Sequence, residues 1–164
     1  MLTLIKKNTV SLAIHICICV VLSLPVNIMW WGGVWYDRQL EFIGLAANGL
    51  IITGYMIGVL FLYSFAVKKF LYSSSNLLTD VFSVIALFII IAVTTLVAYD
   101  GTAERFFRIP FYPLGGTISH FFQIEEKYTY LTMSILPSLL MWIGMTKNVR
   151  QSASKNIEHH SRYR

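Results

Sequence analysis

Apolar residues run along this chain in four long blocks: Val10–Met29, Phe42–Val67, Val81–Tyr99 and Tyr128–Met145. Each is about the length a helix needs to cross a hydrocarbon core of ~30 Å at ~1.5 Å per residue. The runs are continuous, whereas a membrane barrel would show many short segments of alternating polarity. In lipid the backbone N–H and C=O groups must find partners within the segment, which leaves helices as the solution. The pattern predicts an all-α integral membrane protein with four transmembrane helices, at about 10–29, 42–67, 81–99 and 128–145. Residues 1–146 make up this transmembrane domain, and 147–164 a basic tail.

The polar breaks differ in character. Pro25 near the end of the first block is followed by Trp30-Trp31-Gly32-Gly33-Val34-Trp35-Tyr36, an aromatic cluster suited to the headgroup level. A short loop, Asp37–Glu41, makes the first two helices an antiparallel hairpin. The link 70–79 holds the turn-prone Ser73-Ser74-Ser75-Asn76, and Thr79 or Asp80 suits the N-cap of the third helix. Pro137 predicts a kink in the fourth.

The long break, Asp100–Lys127, is not an ordinary hydrophilic loop. Phe106, Phe107, Arg108, Phe111, Tyr112, Phe121 and Phe122 give it an aromatic, amphipathic character, and Pro110, Pro113, Gly115 and Gly116 interrupt it. Two short helical pieces are expected here, lying at the outer membrane surface or folded over the bundle, the second running into the last helix. Glu104 and Arg108 are four apart and suit an ion pair on the first piece.

Composition supports the membrane reading. Of 164 residues, 56% are hydrophobic, and the mean hydropathy is +0.64. A soluble domain of this size has no core large enough to hide four such blocks. The net charge of +5 first suggests nucleic acid, but its distribution excludes a direct nucleic-acid partner. With alternating helices, Lys6, Lys7, Lys68, Lys69, Lys147, Arg150, Lys155, Arg162 and Arg164 share one side, and Arg38, Arg105, Arg108 and Lys127 the other, 9 against 4. By the positive-inside rule both termini are cytoplasmic, in what is expected to be the plasma membrane, a bacterial inner membrane by its compact hairpins. Lys68, Lys69, Lys147, Arg150, Lys155, Arg162 and Arg164 are then the expected contacts to a partner or to anionic lipid. Lys6-Lys7 followed by an apolar run resembles a signal peptide, but no small-x-small cleavage site follows, so the first helix is read as uncleaved. Cys17 and Cys19 point ~200° apart on one helix and cannot pair within it.

The spans carry little chemistry. Ser11, His15, Cys19, Ser23 and Asn27 form a polar row at four-residue spacing on the first helix. On the second, Gly54-Tyr55-Met56-Ile57-Gly58 is a G-x-x-x-G pattern, extended by Gly44, Ala47 and Ile51. Small residues let helices approach closely, so these two surfaces are expected to meet each other or a second protomer. His15 is the one strongly ionisable group within a span. It is read as a neutral, hydrogen-bonded histidine a turn or two from the cytoplasmic surface rather than a proton relay or metal ligand. No cofactor, metal cluster, phosphate loop or nucleophile–base pair is legible, so an enzyme is not expected. The sequence reading is a small accessory, anchor or sensor subunit that oligomerises in the bilayer and holds a cytosolic or membrane partner on its basic face. The alternatives are a homo-oligomeric pore of holin or toxin type, lined by Asn48 or Thr53, and a small membrane enzyme or transporter.

Overall fold

A computed structural model of the chain describes residues 2–31, 42–71, 77–99 and 101–146. The stretch 32–41, the serine-rich link 72–76, and the tail with Lys147, Arg150, Lys155, Arg162 and Arg164 lie outside the described residues.

The described residues are helical, with no strand among them. Helix α1 spans Leu2–Trp31, α2 Phe42–Phe70 and α3 Leu77–Val97. There follow α4 (Thr102–Arg108), a 3₁₀ turn (Ile109–Phe111), α5 (Tyr112–Phe122) and α6 (Glu126–Met133), which resumes after Ser134 as α7, residues 135–146. Among the described residues, four helices are long and apolar enough to cross a membrane: Leu4–Ile28, Gly49–Phe70, Asp80–Val97 and Glu126–Thr146.

The element boundaries correct several expectations. Helix α1 begins at Leu2, so the residues expected to precede the first span are its opening turns. Helix α3 begins at Leu77, which places Asp80 in its first turn rather than at the N-cap. The carboxylate there faces Lys7 Nζ at 3.3 Å, with Asp80 almost fully buried. The kink expected at Pro137 takes the form of the break at Ser134. Proline has no N–H to offer the carbonyl four residues earlier, that of Met133, and the ladder stops there. Helix α5 does not run into the last span. Gln123 adopts a left-handed conformation, φ 55°, that closes α5, and Ile124 and Glu125 separate it from α6.

At the end carrying Lys6, Lys7, Lys68 and Lys69, the basic end, the spans meet directly. Helices α1 and α3 run parallel and form the most extensive pair. Asn8 Nδ2 donates to the Phe82 carbonyl at 2.9 Å and Ser11 Oγ to that of Ser83 at 3.3 Å. Ser138 Oγ of α7 donates to the Val84 carbonyl at 2.9 Å. Gly144 packs so closely on Val67 of α2 that a Cβ there would stand 2.8 Å from Val67 Cγ1. Buried Ile14, Ile18, Leu22, Val59, Tyr63, Val67, Val84, Leu87, Ile91, Met141 and Met145 fill the interior between these helices.

Toward the opposite end the spans part, and α4, the 3₁₀ turn and α5 fill the space between them. This helical hairpin touches α1, α2, α3 and α6. The loop expected to lie at the outer surface or over the bundle therefore enters the bundle. Phe111 is 3% and Arg108 8% exposed, whereas Phe121 and Phe122 are each 68% exposed where α5 emerges.

Candidate functional site

The deep end of the hairpin is built around two prolines. Pro110 and Pro113 both fall within the first two positions of a helical element, the 3₁₀ turn and α5, where a missing N–H breaks no helical bond. They do remove donors for carbonyls upstream. The Phe107 carbonyl loses its i+3 donor to Pro110; the Ile109 carbonyl loses its i+4 donor to Pro113 but keeps the Tyr112 N–H. A carbonyl buried at this depth needs a replacement partner.

Side chains of the neighbouring spans provide it. His15 Nε2–H donates to the Phe107 carbonyl at 3.0 Å, and the Tyr55 hydroxyl donates to the Ile109 carbonyl at 2.9 Å. On the other strand of the hairpin, the Tyr130 hydroxyl donates to the Tyr112 carbonyl at 3.1 Å. A carbonyl only accepts, so its bond fixes the proton of His15 on Nε2. Nδ1 is then an acceptor, and the Tyr63 hydroxyl donates to it. His15 is thus a neutral imidazole with both nitrogens in use and no exposed surface. Its ring also stacks on that of Phe107, centroids 5.9 Å apart. Cys19 Sγ lies 3.5 Å from Nε2 and 4.0 Å from the same carbonyl.

His15 stands 11 residues from Leu4 and 13 from Ile28, the middle of the first apolar span. The hairpin it holds therefore reaches the middle of the bundle.

The hairpin also buries charge, nearer the outer ends of the spans. Glu104 and Arg108, both on α4, pair across one turn at 3.5 Å, the pairing their spacing predicts. The Arg108 guanidinium lies over three rings, Tyr130 at 4.5 Å, Tyr112 at 5.1 Å and Tyr99 at 5.7 Å. The rings offer their negative faces to the cation in a space with little water. Tyr99, at the end of α3, has its phenol pushed above its ordinary range by burial first and by Glu126 second, whose carboxylate accepts from it at 3.4 Å. Tyr112 and Tyr130 stack nearly parallel, 5.9 Å apart. Gly115 permits this approach, since a Cβ there would fall inside the Tyr130 ring.

The polar row of α1 therefore divides. Ser11, His15 and Cys19 face the interior and bond to α2, α3 and the hairpin. Ser23 and Asn27 bond back to their own helix, donating to the carbonyls of Val20 and Ser23, each at 2.7 Å. The row does not meet the G-x-x-x-G surface. A Cβ at Gly49, Gly54 or Gly58 would have nothing within 4 Å, so α1 does not cover that face of α2. Of the residues singled out in the long loop, Phe106, Phe107, Arg108, Phe111 and Tyr112 belong to the part of the hairpin packed into the bundle, while Phe121 and Phe122 stay outside.

The sequence reading gave no role to Tyr55, Tyr63, Tyr99 or Tyr130, and took Gly115 only as a break in the long loop, whereas it lies within α5. A signal existed for two of them: Tyr55 and Tyr63, eight apart, share a face of an otherwise apolar helix. Among the described residues no three His, Cys, Asp or Glu side chains converge as a metal site requires. A cavity of about 10 Å³, barely one water in size, lies between Thr95, Phe107, Phe111, Met133 and Pro137 at the hairpin's deep end. The chain matches no known protein-family profile, no curated protein and no solved structure.

Proposed function

We propose that this protein is a small multi-pass membrane subunit whose task is assembly. It associates with further copies through α2 and holds a cytosolic or membrane partner on its basic end, as an anchor or sensor. The supporting observation is the open face of α2. Of the four apolar spans it is the least covered, 17% buried against 33–44% for the others. Its surface combines Gly49, Gly54 and Gly58 with exposed Leu50, Ile57, Phe61 and Phe65. Glycines facing lipid gain nothing from it, whereas between two helices they allow close backbone contact. On this reading both chain ends are cytoplasmic, in a plasma membrane of bacterial type, and the exposed Lys68 and Lys69 join the tail's Lys147, Arg150, Lys155, Arg162 and Arg164 as a basic surface for a partner or anionic headgroups.

A homo-oligomeric pore is the second reading. One observation favours it: Thr53 is exposed near Gly54, so an assembly closed through α2 would bring several hydroxyls together.

Extraction in mild detergent followed by native mass spectrometry tests the proposal. A defined homo-oligomer with a stoichiometric partner, released when the basic residues are neutralised, supports it. A monomer without a partner contradicts it. A bare oligomer that conducts ions in liposomes, with conductance altered at Thr53, transfers the argument to the pore.

A further inference from the structure

The two halves of the bundle differ in width. In the basic half the four spans lie directly against one another, through Lys7–Asp80, Asn8–Phe82, Ser11–Ser83, Ser138–Val84 and the Val67–Gly144 contact. In the opposite half two more helices stand among them. Helix α4 lies against α1 and α3, and α5 against α2 and α6. A helix is ~10 Å across with its side chains, so the two add on the order of 150 Å² of cross-section to that half alone.

The added width is built in. Every span holds the hairpin: α1 by His15 on the Phe107 carbonyl, α2 by Tyr55 on that of Ile109, and α6 by Tyr130 on that of Tyr112. At the end of α3, Tyr99 lies beneath the Arg108 guanidinium, which also covers the Tyr130 ring. Phe111 at the tip is buried, and the Tyr130 ring fills the space that Gly115 leaves.

The hairpin also spans the whole of that half. From the tip at mid-span, the 11 residues of α5 rise about 16 Å along its axis. That is half of a ~30 Å hydrocarbon core. Phe121 and Phe122 at its end, each 68% exposed, therefore stand at the headgroup level, where aromatic rings are favoured.

We propose that this shape makes the protein a wedge that selects curved membrane: it concentrates where the leaflet around the hairpin is convex and the leaflet at the basic end concave. On a curved bilayer the convex leaflet spans more area than the concave one, so a fixed body wider in one leaflet displaces least lipid there. The partner in this role is the bilayer itself, selected by shape. The wedge requires the chain to span a membrane, and a single copy carries it, so it stands apart from assembly through α2.

The full chain, with a fluorescent tag after Arg164, is reconstituted at low density in giant phosphatidylcholine vesicles, and a narrow tube is pulled from each. The tag follows α7 at the basic end. A membrane-impermeant quencher therefore separates copies with that end outside from copies with it inside. Copies with the basic end inside carry their wide half in the tube's convex leaflet and are expected to be denser on the tube than on the parent vesicle. Copies in the other orientation are expected to be depleted. Equal densities in both orientations, or the reverse order, overturn the wedge.

Two variants separate the wedge from other causes of sorting. Gly54→Leu, on the open face of α2, is expected to sort as the unchanged chain does. Loss of sorting there assigns it to the oligomer and overturns the wedge. Phe121→Ser with Phe122→Ser changes two exposed rings and leaves the interleaved helices in place. It is expected to lessen the enrichment and keep its sign, and complete loss assigns sorting to the rings alone and overturns the wedge. Release of the chain from vesicles by alkaline carbonate overturns the membrane reading, and the wedge with it.

Discussion

His15 on the first helix donates its Nε2 proton to the backbone carbonyl of Phe107, 92 residues later, at 3.0 Å. Few contacts say more about this fold. The bond joins the middle of an apolar span to the tip of a segment that begins and ends at one end of the bundle. It exists because Pro110 leaves the Phe107 carbonyl short of a helical donor, and because non-helical backbone at membrane depth must be satisfied by neighbouring side chains. His15 is bound on both nitrogens in a neutral form and needs no catalytic role to explain its place.

Gly115 and Gly116 are adjacent in α5 yet are predicted to answer differently to alanine. A Cβ at Gly115 collides with the Tyr130 ring, while at Gly116 it stands an ordinary 3.6 Å from the Tyr130 hydroxyl. Gly115→Ala is expected to destabilise the protein by ~1–3 kcal/mol through overpacking. Gly116→Ala is expected to be neutral or to stabilise by up to ~1 kcal/mol, the usual gain in a helix interior. Unfolding of the two variants in detergent, read by far-ultraviolet circular dichroism, checks the difference.

The Glu104–Arg108 pair is predicted to matter more when half of it is removed than when all of it is. Arg108→Met leaves a net negative charge inside the bundle, a change of ~3–5 kcal/mol for buried pairs. Glu104→Gln together with Arg108→Met removes both charges and is expected to cost less than Arg108→Met alone. The double-mutant cycle, measured by thermal unfolding, would go against this account if the two single effects simply added.

Gly54 and Gly58 are predicted to serve assembly, and Gly144 to serve the fold. A Cβ at either of the first two meets nothing within 4 Å, whereas at Gly144 it collides with Val67. Gly54→Leu and Gly58→Leu should therefore keep the melting temperature and lose the oligomer in chemical cross-linking. Gly144→Leu should lower the melting temperature. Intact oligomer in both α2 variants would remove the support for association through this face.

The spans were legible in the sequence because bilayer thickness and apolar length are tied by simple geometry, and Val10–Met29 or Val81–Tyr99 can be read off directly. The Glu104–Arg108 pair was legible too, since it depends on spacing within one turn. The path of residues 102–122 was not. An aromatic segment with prolines reads equally well as lying on a membrane or folding into a bundle. What decides is whether a distant side chain can satisfy Phe107, and its partner, His15, sits on another helix at no fixed sequence distance. The same holds for the glycines. Gly54 and Gly58 carry the known spacing, yet the close contacts within the chain are made by Gly115 and Gly144, which carry none.

The central claim is that the hairpin tip lies at mid-span against the first helix. Solid-state NMR in lipid bilayers tests it most directly, with ¹⁵N in the imidazole of His15 and ¹³C in the backbone carbonyl of Phe107. A through-space correlation between Nε2 and that carbonyl, with the proton on Nε2, is the predicted result. A missing correlation, together with a Phe107 carbonyl in contact with bulk water, would place the segment on the membrane surface and contradict the account.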